Sequence, residues 1–396
     1  MRDVFLTFLR LGMTSFGGPI AHLGYFRSEF VDRKRWLDEA AFAQIVALCS
    51  VLPGPTSSQV GILIGVTRAG VRGGLAAWVA FTAPSAIAMT MFAFVLGAGR
   101  SHATGAASAS IVSAAIAGLG LAAVGVVALA VLTLARSLCT DRRTAAVAAG
   151  STLVATLLAA RPGWQWLPIA LGAAAGIAVM RDAPPLAENR LRIPIGRRGA
   201  VVALVLFAVL ATSLGTLQSR GAGFDLIAAC VRAGSLVFGG GHVILPLLQS
   251  LVTDRLVSTG DFFAGYAAAQ AVPGPLSTFA TFLGFDAATP MRGALGALAG
   301  TLAIFLPTFL LLAGIVPFWN AIRDWPLAAA ALRGANAAVV GLLAAVLYTP
   351  IFTGLVTSPV RFALAVLAFG LLGPGRVPPW IVVIASATFG TLVLRG

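Results

Sequence analysis

Long apolar stretches separated by short polar turns make up most of the chain. Three uncharged stretches, at 105–135, 199–217 and 293–316, reach the roughly 20 residues that an α-helix needs to span a bilayer. With proline, glycine and charged residues taken as boundaries, the pattern predicts about thirteen apolar helical segments. They lie near 4–25, 40–66, 73–99, 106–136, 144–160, 164–180, 199–217, 224–250, 262–284, 293–317, 327–349, 357–373 and 378–394. The sequence therefore predicts an all-α polytopic membrane protein.

The segments fall into two similar sets joined by one more. Residues 1–180 and 221–396 each hold about six of them, and 181–220 holds an arginine-rich linker plus a connecting transmembrane helix. Because six crossings return the chain to its starting side and the extra segment moves it across, the second half begins on the opposite face. This arithmetic predicts an inverted repeat, an arrangement common in secondary transporters.

The composition supports a membrane protein and argues against other classes. The residues are 59% hydrophobic and 10% charged, whereas soluble proteins carry about 25% charged residues. The net charge of +14 is almost wholly arginine in short loops, where positive charge sets membrane topology. No stretch interleaves basic and aromatic residues, so nucleic acid is not an expected partner. Cys49, Cys139 and Cys230 have no metal-site or disulfide spacing, and neither a metal nor another cofactor is expected.

Loop charges indicate that the segment at 40–66 does not simply cross. Basic residues at 27–35 precede it and others at 68–72 follow it, so a crossing would place two positive clusters on opposite faces, against the positive-inside rule. The motif Pro53-Gly54-Pro55 cannot continue a helix because two prolines remove two amide donors. We therefore predict a re-entrant hairpin here, which is tolerated at membrane depth when it lines a protein-enclosed cavity. If segment 4–25 also crosses only halfway, the inverted repeat is kept and the amino terminus is cytoplasmic.

A motif set containing a buried cation and helix breakers occurs twice. The first copy consists of Arg10, Phe16-Gly17-Gly18 and the motif at 53–55. The second copy consists of Arg232, Phe238-Gly239-Gly240 and the motif at 273–275. Guanidinium groups suit bidentate contact with a tetrahedral oxyanion, and paired glycines present backbone N–H groups to an anion. Hydroxyl groups after each break, at 56–58 and 277–278, are further ligand candidates. A snorkelling arginine and a plain helix kink remain the simpler alternatives. The substrate-binding candidates from this set are Arg10, Phe16, Gly17, Gly18, Pro53, Gly54, Pro55, Arg232, Phe238, Gly239, Gly240, Pro273, Gly274 and Pro275.

Proton coupling has few candidate residues. The register that aligns Arg10 with Arg232 also aligns Asp32 with Asp254 and Glu39 with Asp261. These duplicated acids and His22 are the candidates, although acids near segment ends are usually solvated and a lone histidine is more often a hydrogen-bonded structural residue. The chain has no Gly-x-Ser-x-Gly, His-Glu-x-x-His or P-loop motif, so neither an enzyme nor ATP-driven transport is expected.

At these motifs the chain resembles the chromate ion transporter family in its long, two-domain form. The resemblance rests on both Phe-Gly-Gly motifs, both Pro-Gly-Pro motifs, and the Arg-Gly pairs at 72–73 and 292–293. It adds His242 and Gln270 to the substrate-binding candidates, and it implies export of chromate across the cell inner membrane driven by the proton-motive force. Before the first Pro-Gly-Pro this chain has Ser50 where the family often has glutamine, whereas the second copy keeps Gln270.

The expected function is thus a secondary transporter for a tetrahedral oxyanion, working by alternating access. The expected partners are chromate or a similar oxyanion, protons and the lipid bilayer, and a homodimer is one assembly that such a chain permits. Two alternatives stay open. In the first, the cargo is sulfate or another oxyanion. In the second, the chain is a membrane scaffold or lipid-handling protein that transports nothing.

Overall fold

The computed structural model describes residues 1–102, 106–158, 166–180, 196–217, 221–237, 244–253, 255–287, 289–319 and 325–394. Over these ranges the regular structure is helical, apart from one isolated bridge between Thr253 and Val257. The helices are α1 (Arg2–Thr14), α2 (Gly18–Arg27), α3 (Glu39–Val51), α4 (Thr56–His102), α5 (Ala106–Leu138), α6 (Arg142–Leu157), α7 (Trp166–Val179), α8 (Arg197–Leu217), α9 (Ala222–Leu236), α10 (Ile244–Val252), α11 (Thr259–Ala271), α12 (Phe279–Asp286), α13 (Ala294–Ile315), α14 (Pro326–Val346), α15 (Pro359–Leu372) and α16 (Pro379–Val393). Shorter turns occur at Ser28–Arg33, Leu276–Thr278, Val316–Phe318, Leu347–Phe352 and Thr353–Leu355.

Four helical stretches are long and apolar enough to cross a membrane. They are Thr56–Gly99, Ile111–Leu138, Ala294–Phe318 and Pro326–Leu355. Together with the shorter apolar helices, they confirm the expectation of an all-α membrane protein. The number of crossings and the inverted orientation of the halves remain predictions.

The predicted segment at 4–25 consists of two short helices. Helix α1 has 13 residues and α2 has 10, so at about 1.5 Å per residue neither spans a hydrocarbon core of roughly 30 Å. The chain turns between them with φ of 99° at Gly17 and 75° at Gly18. Only glycine adopts such angles without strain, which explains why the Gly-Gly pair interrupts this segment.

The chain also breaks inside α4 and at the equivalent place in the second half. Ala69 and Gly70 have non-helical angles, so α4 consists of a first arm at 56–68 and a second arm at 71–102. The arms fold back on each other, with Gly65 against the backbone of Gly73. In the second half α12 folds back on α13 in the same way. Because α3 and the first arm are each too short to cross, their lengths permit a re-entrant hairpin, which remains a prediction.

The two halves interlock through their last helices. Helix α5 packs against α15 and α16 of the second half, and α14 packs against α6 and α7 of the first half. Gly118 lies against Gly390 where α5 meets α16, and Gly334 lies against Gly176 where α14 meets α7. Glycines at these crossings let the helix backbones approach closely, as in many membrane helix pairs.

Candidate functional site

Each Pro-Gly-Pro turn contacts the half of the chain to which it does not belong, so the two turns are exchanged between the halves. The Gly54 N–H donates a hydrogen bond to the Val237 carbonyl at 2.6 Å, and the Gly274 N–H donates one to the Ser15 carbonyl at 3.0 Å. Ser15 directly follows α1 and Val237 directly follows α9, and the register of the two halves aligns these two residues. Each turn therefore binds the open carboxyl end of the first helix of the other half. We call residues 15, 53–55, 237 and 273–275 the crossing.

Side-chain packing at the crossing is reciprocal in the same sense. Gly54 and Gly274 have φ of 131° and 107°. A Cβ atom added to Gly54 would lie 2.8 Å from Thr308 Oγ1 of the second half, and one added to Gly274 would lie 2.8 Å from Ser85 Oγ of the first half. Both turns thus need glycine for their backbone angle and for their closeness to the opposite half.

His22 joins the crossing to the first hairpin. The ring is 1% exposed, its Nε2 lies 3.1 Å from the Ser15 carbonyl oxygen, and its Nδ1 lies 3.2 Å from Ser57 Oγ. Because a carbonyl only accepts hydrogen bonds, Nε2 carries a proton, and in the neutral ring Nδ1 accepts from the Ser57 hydroxyl. The Ser15 carbonyl therefore accepts from both Gly274 and His22 with its two lone pairs.

In the described part of the second half, isoleucine takes the place of this histidine. The register places Ile244 opposite His22, and Ile244 is fully buried. Ser277 follows the second Pro-Gly-Pro motif by two residues, as Ser57 follows the first, and its buried hydroxyl has no hydrogen-bond partner among the described residues. The crossing is thus reciprocal in its backbone but unequal in its polar side chains.

Several buried hydroxyl groups around the crossing have no hydrogen-bond partner in the described part of the chain. They belong to Ser15, Ser58, Thr82, Ser277 and Thr308. Leaving such a group unpaired costs about 1–3 kcal/mol, so the cluster favours a bound species that accepts hydrogen bonds.

One of these hydroxyl groups also lines a cavity of about 430 Å³. It opens between the second arm of α4 and α13, and Trp78, Thr82 and Thr281 are among its lining residues. Thr82 is thus shared between the cavity and the cluster of unpaired hydroxyls. Apart from such polar groups, the cavity wall is apolar.

The duplicated arginines occupy different environments. Arg10 is exposed on α1, on the face away from buried residues such as Val4 and Phe8, so the prediction of a buried cation is wrong for the first copy. Arg232 is half-buried on α9. Across the described ranges neither guanidinium makes an ion pair. The structure therefore does not join either arginine to the crossing by a hydrogen bond.

The acidic candidates lie away from the crossing contacts. Asp32 and Glu39 both pair with Arg27, at 3.2 Å and 2.9 Å, and all three side chains are about half exposed. Asp261 is buried at the start of α11, where the Ser258 hydroxyl donates to its carboxylate at 2.6 Å. Gln270 is hydrogen-bonded to the hydroxyl of Tyr266.

Some candidates lie outside the described residues. They are Phe238, Gly239, Gly240, His242 and Asp254. Phe16 is half-buried at the break between α1 and α2.

Four residues at or near the crossing were not predicted from the sequence: Ser15, Thr82, Ser85 and Thr308. Ser85 and Thr308 each follow a proline inside a long apolar helix, in Pro84-Ser85 and Pro307-Thr308. An alignment of the two halves through these prolines would have identified Ser85 and Thr308 as equivalent residues. Ser15 and Thr82 have no such signature.

Comparison with known proteins gives the family. The chromate transporter family model matches residues 2–178 and 224–391. The chain belongs to the chromate transporter family. It is 28% identical to a chromate transport protein of Pseudomonas aeruginosa over 87% of this chain and 79% of the relative. It is 26% identical to a chromate transport protein of Cupriavidus metallidurans over 87% and 80%, respectively.

Another family relative covers nearly the whole chain. An uncharacterized transporter of Methanocaldococcus jannaschii is 27% identical over 99% of this chain and 94% of the relative. No solved structure matches this chain.

Proposed function

We propose that this chain is a secondary transporter that exports chromate across the cell inner membrane, driven by the proton-motive force. The observation that carries the proposal is the reciprocal exchange of the Pro-Gly-Pro turns, surrounded by unpaired hydroxyl groups, in a member of the chromate transporter family. The relatives named as chromate transport proteins support chromate as the cargo. Sulfate and other tetrahedral oxyanions share its shape and charge, so they are the competing cargo.

The proposed binding region is built from hydroxyl donors. A chromate dianion only accepts hydrogen bonds, and the hydroxyls of Ser58, Ser277 and Thr308 are buried donors without a partner in the described part of the chain. The Gly54 and Gly274 amides are occupied by carbonyls in this conformation, so the turns contribute shape instead of free N–H groups. The Phe-Gly-Gly motifs, with His242 in the second copy, complete the proposed binding region, and the two arginines compensate charge along the path.

The exchanged turns suit a gate for alternating access. Each turn is held to the other half by a backbone hydrogen bond, and such a bond contributes only about 0.5–1.5 kcal/mol net. Releasing one turn while the other stays bound would open the crossing toward one side. Two halves in inverted orientation would then interconvert their roles between the two states.

His22 is the proposed link between proton and cargo. When Nδ1 gains a proton the ring becomes a double donor, so Ser57 must accept and its own hydrogen must turn elsewhere. Proton occupancy therefore changes which way a hydroxyl donor points beside the crossing. Asp32, Glu39, Asp254 and Asp261 remain candidates for carrying protons to this position.

Everted membrane vesicles that contain the protein are expected to accumulate labelled chromate when a proton gradient is imposed. Arg10→Lys and Arg232→Lys are each expected to reduce this uptake by tenfold or more, because lysine keeps the charge but loses bidentate contact with an oxyanion. Initial rates of uptake are measured with and without the gradient and with competing sulfate.

The control for these variants is Arg198→Lys in α8, an exposed arginine outside the duplicated motifs. Chromate uptake at the same rate with and without the proton gradient contradicts the proton-driven mechanism. If sulfate inhibits chromate uptake at a concentration similar to that of chromate, the cargo is assigned to sulfate. If neither anion is taken up, a scaffold is favoured. Unchanged uptake in both lysine variants removes the arginines from the site.

His22→Ile is expected to give a folded protein whose chromate uptake depends less on pH between about 4 and 8 than that of the parent protein. Isoleucine already fills the equivalent place in the second half, so the change keeps burial while it removes the titratable ring that contacts Ser57. Initial uptake rates across that pH range test this, at constant membrane potential. Ser57→Ala serves as the companion, because it leaves the histidine in place. A pH profile of His22→Ile identical to that of the parent protein contradicts the assignment.

A further inference from the structure

The side chain of Gln59 closes the first Pro-Gly-Pro turn. This residue lies in the first turn of α4, and its backbone N–H donates to the Pro55 carbonyl at 3.0 Å. Its side-chain Nε2 reaches further back and donates to the Pro53 carbonyl at 2.8 Å. Because a carbonyl only accepts hydrogen bonds, the amide nitrogen faces Pro53 and the amide oxygen points elsewhere. The contact therefore fixes the orientation of the amide.

The amide oxygen of Gln59 is a buried acceptor without a donor. The residue is fully buried, and its Oε1 has no hydrogen-bond partner within the ranges that the structure describes. The unpaired groups named above at the crossing are hydroxyls, which can donate or accept, whereas this oxygen can only accept. A buried acceptor is costly to leave unpaired. It therefore favours a ligand that brings a hydrogen atom of its own.

A donor from the other half borders the same point. A Cβ added to Gly54 would lie 3.2 Å from Gln59 Cδ and 2.8 Å from Thr308 Oγ1. Thr308 is fully buried as well. Although both side chains border Gly54, Gln59 Oε1 and Thr308 Oγ1 make no hydrogen bond with each other or with another described residue. An acceptor and a donor thus flank the first turn from opposite halves.

The charge around this point suits an anion of low charge. The residues that form the crossing are all uncharged, and the first arm of α4, which starts at Thr56, adds the positive end of a helix dipole, about half an elementary charge. The cost of taking an ion out of water rises steeply with its charge. A monoanion therefore fits this position better than a dianion.

His22 is the titratable side chain beside this position. It contacts Ser57 on α4, whereas α13 has no charged residue. Asp225, Asp261 and Asp286 lie at the ends of α9, α11 and α12 that are away from the crossing. The charged residues of α1, α2, α3 and the first arm of α4 are exposed, namely Arg2, Asp3, Arg10, Arg27, Glu39 and Arg68. Within the described part of the chain, His22 and the bound anion are thus the groups whose protonation can change here.

We propose that the crossing selects the singly protonated oxyanion, hydrogen chromate, whose O–H group donates to Gln59 Oε1 while its other oxygens accept from Thr308 and Ser58. This assignment rests on the proposed function and adds the protonation state of the same cargo. Chromate takes up its first proton near neutral pH, whereas sulfate and selenate do so only in strong acid. An unpaired buried acceptor rejects a ligand that lacks the matching hydrogen. Gln59 would therefore distinguish chromate from anions of the same shape.

Binding of two anions to the purified protein tests the proton on the cargo. Selenate matches the chromate dianion in shape and charge but stays unprotonated, so a change of its affinity with pH reports titration of the protein itself, including His22. Labelled chromate and labelled selenate are each bound by equilibrium dialysis at about pH 6, 7 and 8. Relative to selenate, we expect the dissociation constant of total chromate to rise toward tenfold per pH unit above the chromate pKa, because one proton binds together with the anion.

Gln59→Met is expected to abolish this difference between the anions. Methionine keeps the length and burial of the side chain but has no amide oxygen, so both anions should then show the same pH dependence. Gln249→Met, at a buried glutamine of α10, is the matched control and should keep the difference.

Thr308→Val removes a donor that either anion can use. It should weaken the binding of both anions by about tenfold or more at every pH, and the difference in their pH dependence should remain. A Gln59 side chain that only holds the turn would behave like Thr308 in this comparison, because its loss would weaken both anions alike.

Equal pH dependence of chromate and selenate binding in the parent protein overturns the proposal, since the dianion is then the bound species and water pairs with Gln59. A difference that persists in Gln59→Met also overturns it. The parent comparison decides the matter alone if Gln59→Met fails to fold. Absence of chromate binding at every pH contradicts the proposed function itself, and the proposal with it.

Discussion

Gly274→Ala and Gly54→Ala are each expected to reduce chromate uptake by tenfold or more. At φ of 107° and 131° an alanine is strained by about 1–3 kcal/mol. Its methyl group would also lie 2.8 Å from Ser85 Oγ or Thr308 Oγ1, closer than a carbon and an oxygen approach, and at position 54 it would meet the Gln59 amide of its own half as well. The turn would have to withdraw from the opposite half, and its backbone hydrogen bond to Ser15 or Val237 would lengthen or break.

Gly221→Ala separates the backbone strain from the clash. Gly221 has φ of 130°, almost the same as Gly54, but a Cβ added there meets nothing within 4 Å. All three variants are compared in the same vesicle assay, after correction for the amount of folded protein in the membrane. If Gly221→Ala and Gly54→Ala lose equal activity, contact between the halves is not what these glycines protect.

Gly334→Val is expected to destabilise the whole protein by about 3 kcal/mol, at the upper end of the cost of overpacking. A Cβ at Gly334 would lie 2.8 Å from the Gly176 Cα atom on α7. Because the obstacle is the backbone of a second helix and not a side chain that can rotate, α14 and α7 have to separate. The free energy of unfolding in mixed micelles measures the loss, and Gly118→Val at the α5–α16 crossing should behave in the same way.

The control for the helix crossings is Gly370→Val in α15, where an added Cβ meets nothing within 4 Å. Its cost should be within about 1 kcal/mol of zero, which covers the propensity of valine in a helix relative to glycine. A loss at Gly334 no larger than at Gly370 would mean that the halves are not held together at these glycines.

The sequence predicted the breaks in the fold because they are local. Glycine at positive φ and paired prolines interrupt a helix whatever surrounds them, so the interruptions at Gly17 and at the two Pro-Gly-Pro turns could be located from residue type alone. The helical class followed equally directly from apolar runs of bilayer length. Helix ends were less exact, since the predicted segment at 4–25 contains two helices and not one.

The exchange between the halves had no comparable signature. The bonds that define the crossing join backbone atoms of Gly54, Val237, Gly274 and Ser15, and any residue other than proline can supply such atoms. His22 was predicted only as a candidate, because its contacts with Ser57 and with the Ser15 carbonyl depend on the fold of α2 against α4. The arginines, in contrast, stood out in the sequence but make no contact that the structure records with the crossing.

The interlocked last helices have a consequence for biosynthesis. Helix α5 is synthesised early, yet the helices that cover it, α15 and α16, begin only at residue 359. Contacts so distant along the chain form late and slowly, and surface that waits for them is exposed to wrong association. In the nascent chain, the face of α5 that α15 and α16 later cover therefore stays uncovered in the bilayer until translation is nearly finished. Truncation anywhere before α15 should leave a product that membrane quality-control proteases recognise.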